Sequence, residues 1–294
     1  MASTVSHSVV SISTAALSAE ISATGAELVR LQDRTGTDLL WDGNPAVWNG
    51  RSPLLFPIVG EVTGNRLTVA GTAYEIGRHG FARTSTFALV GSDAASCTWR
   101  LESSEATRRQ YPFAFRLDVT YRIEGATLHM EARVTNTGAA VMPASFGFHP
   151  ALRWPLPYGT SREAHEIVFE RHEPAPIRRP IDGLLSAAQF ATPVRDRHLR
   201  LHDDLFEDGA LVFDTLASRS VLYGEAIRVD FPQMPHLGIW TKPGAGYVCI
   251  EPWQGHASPE GFDGELADKP GVIAIAPGAM QSFGMSISVS PPGS

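Results

Sequence analysis

The stretch F-R-L-D-V-T-Y-R-I-E-G-A-T-L-H-M-E-A-R-V-T-N, Phe115 to Asn136, decides the fold class. Leu117, Val119, Tyr121 and Ile123 take every second position, and Ala126, Leu128, Met130, Ala132 and Val134 repeat the pattern beyond E-G. Successive side chains leave a strand on opposite faces, so a period of two marks a half-buried strand. A two-residue turn at Glu124 and Gly125 predicts a hairpin in which Ile123 faces Ala126, Tyr121 faces Leu128 and Val119 faces Met130. Both apolar stripes then share one side and cover one face of a core.

The same rhythm extends outward in both directions. Upstream, Ser8 to Ser13, Leu17 to Ala23, Glu27 to Gln32, Leu67 to Ala73, Phe87 to Val90 and Cys97 to Glu102 read as short strands separated by Gly and Asp. Arg51 to Gly60, bracketed by prolines, reads as a buried loop and sheet edge. Ser103 to Gln110 offers one or two helical turns. Downstream, residues 155 to 201 form a long excursion of loops and short strands. Strand rhythm then resumes at Ala210 to Phe213, Ser220 to Tyr223, Ile227 to Phe231, Leu237 to Trp240 and Gly246 to Ile250, and closes with Phe283, Met285, Ile287 and Val289 in alternation. With no long amphipathic helix and no fixed-period repeat, the chain is predicted to be all-β, one domain over residues 1–294, with residues 1–7 and 290–294 frayed.

Bulk properties narrow the function. Of 294 residues, 43% are hydrophobic and 19% charged, which supplies a proper core. A net charge of −7 without any run of Lys or Arg argues against nucleic acid or an anionic membrane as partner. No apolar stretch approaches the ~20 residues of a membrane span, and the N-terminus lacks the pattern of a secretory leader. Cys97 and Cys249 sit singly in β-like runs and are expected to be buried thiols in a reducing compartment, which makes the protein cytoplasmic. His198 and His202, four apart, have no accompanying H-E-x-x-H or thiol set, so no metal site is predicted. G-x-S-x-G and Walker-type loops are absent.

Three punctuated segments carry the candidate chemistry: R-H-G-F-A-R at Arg78 to Arg83, F-G-F-H-P at Phe146 to Pro150, and V-C-I-E-P-W-Q-G at Val248 to Gly255. Each places a His or Glu beside Gly or Pro and an aromatic. Glu251 follows an apolar run and precedes Pro252, which cannot donate to a ladder, so it is expected at a strand end. Trp253 beside it offers a flat face for a sugar or for packing.

Together with L-F-P-I-V-G at Leu55 to Gly60 and G-A-E-L-V-R-L at Gly25 to Leu31, these segments resemble the aldose 1-epimerase (galactose mutarotase-like) superfamily, in particular its LacX-type branch, over nearly the whole chain. The resemblance implies a large antiparallel β-sandwich, the galactose mutarotase-like supersandwich, holding a small-molecule sugar in a cleft on one sheet. It implies Glu251 as general base, His149 as general acid, and His79 as a second histidine at the sugar ring. Arg83 is a further candidate for substrate binding. The family's Arg-Asn motif has no direct match in I-V-G-E-V-T-G-N-R, and the arginine's role passes to Arg51 or else Arg66. Asp204 and Asp208 are candidates for the family's substrate-binding Asp.

The chemistry implied is exchange of the α and β anomers of an aldohexose through the open-chain aldehyde. A carboxylate paired with an imidazole of ordinary pKa ~6.5 supplies the acceptor and donor with modest tuning. Nothing is oxidised or reduced, so no cofactor is called for. A hexose-6-phosphate mutarotase is the alternative, with Arg51, Arg78 and Arg83 clamping the phosphate. A noncatalytic carbohydrate-binding protein is the alternative of another class. Nothing in the sequence specifies an oligomeric state.

Overall fold

The computed structural model describes residues 8–291, and every strand ladder in it is antiparallel. The hairpin joins Phe115–Glu124 to Thr127–Asn136, and its buried positions alternate as the apolar pattern requires. Its register differs from expectation by two residues: Ile123 lies opposite Leu128, Tyr121 opposite Met130 and Val119 opposite Ala132. The turn is Gly125-Ala126, with Gly125 at φ +58°, a glycine-favoured conformation suited to the first central position of a type II′ turn. Because the shift is even, the apolar face is unchanged.

This hairpin sits inside a nine-stranded sheet. Its order is His198–Arg200, Glu166–Phe169, Ser220–Tyr223, Ile227–Asp230, Met280–Val289, Thr127–Asn136, Phe115–Glu124, Ser96–Glu102 and Ala88–Ser92. A second sheet runs Leu211–Phe213, His236–Trp240, Tyr247–Gln254, Phe146–Phe148 and Leu54–Leu55, with Ala151–Arg153 also paired to Tyr247–Gln254. The two sheets share one core. Phe146 stacks on Phe283 at 5.1 Å and Phe169 meets Phe213 at 5.3 Å, in each case joining one sheet to the other. Among the described residues helix is confined to Glu105–Arg108, capped by Ser104, and short 3-10 turns. Among the described residues no helix is long and apolar enough to cross a membrane. Residues 1–7 and 292–294, expected to fray, lie outside the described residues, whereas Ser290 is tied down through its N–H to Ala226 O at 2.8 Å.

The period of two in the second sheet positions the site. Val248 and Ile250 point into the shared core, so Tyr247, Cys249, Glu251 and Trp253 point to the opposite, outer face. By the same parity Phe146 and Phe148 are core residues and Gly147 and His149 face outward. Glu251 is not at a strand end, as its strand runs on to Gln254. Pro252 is tolerated because Phe146–Phe148 and Ala151–Arg153 leave a break alongside it, between the partners of Trp253 and of Cys249. Ile250 donates toward that side, to Pro150 O at 3.2 Å, so the nitrogen of Pro252, two residues on, faces the break where no ladder bond is lost.

Candidate active site

That break in the ladder is where His149 meets Glu251. Its Nε2 lies 3.1 Å from Oε2 of Glu251, and the side chains are 9% and 3% exposed. They sit in a cleft of about 330 Å³, room for one monosaccharide, lined also by Trp48, His79, Arg83, Trp240 and His256. Trp48 and Trp240 flank the His149 ring at 5.2 and 6.0 Å, and His79 stands perpendicular to it at 5.8 Å.

His79 is held by backbone geometry that its sequence explains. It adopts φ +66° and Gly80 φ +70°, and a Cβ on Gly80 would fall 2.3 Å from Phe56 O. Only glycine fits there, which accounts for the H-G pair. The turn lets His79 exchange two hydrogen bonds with Gly60: its N–H donates to Gly60 O at 2.8 Å, and Gly60 N–H donates to its Nδ1 at 3.0 Å. With Nδ1 accepting, the neutral ring carries its proton on Nε2. His256 is the complement, its Nδ1 donating to Ala257 O at 2.8 Å, so that its Nε2 is an acceptor.

Burial sets the electrostatics. It raises the Glu251 carboxyl well above the ordinary carboxylate range, with the Trp253 side chain opposing the rise, and lowers His149 to about 3. It also holds His79 well below its usual value, helped by His149, Arg83 and Arg78. The tuning is therefore far from modest. Glu251 and His149 each resist charge, so the pair keeps one proton between them over a wide span of pH.

Of the residues singled out in the sequence, Glu251, His149, His79 and Arg83 line one cleft; Arg51 does not. The Arg51 guanidinium packs against Gly43 and borders a separate depression with Asp42 and Arg153. Arg66 is exposed beside Glu75, and neither Asp204 nor Asp208 lines the cleft. Arg78 does line it, ion-paired to Glu61, whereas Arg83 forms no ion pair among the described residues. Trp48, Trp240 and His256 were not anticipated. His256 directly follows the E-P-W-Q-G segment and was within reach of sequence reasoning, but the two tryptophans reach the cleft only through tertiary structure.

Trp253 both lines the cleft and packs on the sheet. Its indole lies so close over Gly147 and Gly238 that a Cβ at either position would come within 2.6 and 2.3 Å of it. Gly238→Ala is expected to displace the ring and destabilise the fold by about 1–3 kcal/mol, read as a lower midpoint in thermal or urea unfolding.

The two packed antiparallel sheets form the galactose mutarotase-like β-sandwich. The chain belongs to the aldose 1-epimerase family: residues 8–268 match the family model described as aldose 1-epimerase. It is an isomerase of the aldose 1-epimerase type. It is similar to the chromosomal LacX protein of Lactococcus lactis subsp. lactis, 32% identical over 280 residues that cover 89% of this chain and 92% of that protein. A galactose mutarotase related enzyme from Lactobacillus acidophilus superimposes with a TM-score of 0.88 at 29% identity, over 96% of this chain and 97% of that one. A galactose mutarotase-like protein from Lactobacillus casei ATCC 334 does so with a TM-score of 0.90 over 96% and 100%; at 23% identity this likeness is one of fold.

Proposed function

We propose that the protein interconverts the α and β anomers of an aldohexose by acid/base ring opening, with Glu251 and His149 as the working pair. The observation that carries this is the buried 3.1 Å contact between them in a cleft of monosaccharide size. In one direction Glu251 takes the proton of the C1 hydroxyl while His149 gives one to the ring oxygen. The C1–O5 bond opens, the aldehyde carbon rotates, and closure on its other face returns both protons. Carboxylate with imidazolium, and carboxylic acid with neutral imidazole, are proton tautomers of one pair, so they have the same pH dependence. Burial favours the uncharged form, and sugar hydroxyls entering beside the pair supply the hydrogen bonds that let the proton move. His79, donating from Nε2, and His256, accepting at Nε2, are placed to orient hydroxyls. The two buried, unpaired thiols fit a reducing, cytoplasmic setting.

The pH profile follows from these shifts. The pair gains a second proton only as pH falls through the lowered His149 value, about 3, and loses its single proton only as pH rises through the raised Glu251 value. The acid limb of kcat/KM for anomer exchange is thus expected well below the ordinary imidazole value of ~6.5. An acid limb centred there instead contradicts the assignment.

A phosphorylated substrate is the second reading, and the unpaired Arg83 beside Arg78 supports it. Arg83→Ala is expected to raise KM for glucose 6-phosphate by at least about tenfold with little change for glucose, the loss of one charge-assisted contact. Equal effects on the two sugars tie Arg83 to ring hydroxyls instead.

A further inference from the structure

We propose that His149, Cys249 and Glu251 form a binding site for a soft divalent cation, and that zinc(II) seated there inhibits the enzyme. Cys249 and Glu251 are two apart on one strand and share its outer face, and Ala151, two residues after His149, is the cross-strand neighbour of Cys249. This register converges three different donors: an imidazole nitrogen, the Cys249 Sγ and a carboxylate oxygen all lie within 4.8 Å of one another, the only such group among the described residues. Tetrahedral zinc, with bonds of about 2.0–2.3 Å, holds its ligand atoms roughly 3.3–3.8 Å apart, so small side-chain rotations close the site.

The acid/base pair leaves one of these donors unused. Cys249, fully buried among Ala151, Ala245 and Tyr247, has no place in ring opening, where any small apolar residue would serve. A thiolate, an imidazole and a single carboxylate select zinc or cadmium over magnesium or calcium, which prefer sets of oxygen ligands. The thiol proton leaves to solvent on binding. Glu251 and His149 line the cleft and Cys249 lies behind them, so the cation enters from the cleft and its fourth position faces water or a sugar hydroxyl. Coordination occupies both the carboxylate and the imidazole, which stops proton transfer.

The inhibition rests on the proposed mutarotase mechanism; the binding does not, and the two are read separately. Cadmium(II) titrated into the purified chain is expected to produce a stoichiometric thiolate-to-metal charge-transfer absorption that survives Cys97→Ser and disappears in Cys249→Ala and Cys249→Ser. Zinc(II) is expected to suppress anomer exchange, with Cys249→Ala retaining its basal rate and needing at least about tenfold more zinc for half inhibition. Absence of the absorption in wild type, its persistence in both Cys249 variants, or unchanged zinc sensitivity in Cys249→Ala overturns the site. If no anomer exchange is catalysed at all, the cadmium titration still decides whether the site exists.

Discussion

Glu251→Gln is expected to slow catalysed anomer exchange by roughly 10²–10⁴-fold, the range for losing a true proton-transfer group. The amide keeps the size and hydrogen-bonding reach of the carboxyl but neither releases nor takes the proton. KM should change little, because the loss falls on the transition state. Stability should move the other way. Burial raises the Glu251 carboxyl in the folded chain. A group raised in this way stabilises the fold at pH below its unfolded value, and that contribution is lost as pH rises through the folded value. Glutamine has no such dependence. The variant is therefore expected to match or exceed wild type in thermal midpoint at neutral pH, with the gap widening on the alkaline side. A slow variant that also unfolds early points to structural damage instead, and contradicts the catalytic reading.

His149→Asn should cost a similar factor, about 10²–10⁴, because it removes the other end of the same proton path. The informative variant is the double one. Residues that act as a unit lose nearly everything with the first removal, so Glu251→Gln with His149→Asn is expected to be no slower than the worse single variant by more than a few-fold. Rates that multiply indicate that the two residues act independently, which the 3.1 Å contact argues against. His149→Asn also leaves the buried Glu251 without its imidazole partner, so this variant alone of the two should lose some stability.

The hairpin shows how far sequence reasoning reaches and where it stops. Alternation at Leu117 to Ile123 and Leu128 to Val134 identifies strands and their buried face, because parity alone decides which side a residue takes. It does not decide register, which Gly125 settles by occupying the first turn position. Pro252 misled in a related way: a proline in a strand pattern signals an end unless the neighbouring strand is interrupted, and that interruption lies a hundred residues upstream at Phe148 to Ala151. The motifs around His79, His149 and Glu251 were legible because each bears local marks, a left-handed H-G turn, an F-G-F-H-P corner and an apolar run into a carboxylate. Arg51 lies outside the cleft, at a separate depression, and nothing local in R-S-P-L-L-F marks which way its side chain turns. The protonation of the pair was illegible for a physical reason: the shifts come from burial, a property of the whole packed sandwich.

Anomer-exchange NMR with the wild-type chain, across glucose, galactose and glucose 6-phosphate, tests the central claim most directly. Exchange between the α and β C1 resonances is expected to accelerate in proportion to enzyme for at least one of these sugars, and the acceleration should vanish with Glu251→Gln. Saturable sugar binding with no acceleration contradicts the account and makes the protein a carbohydrate-binding member of the family.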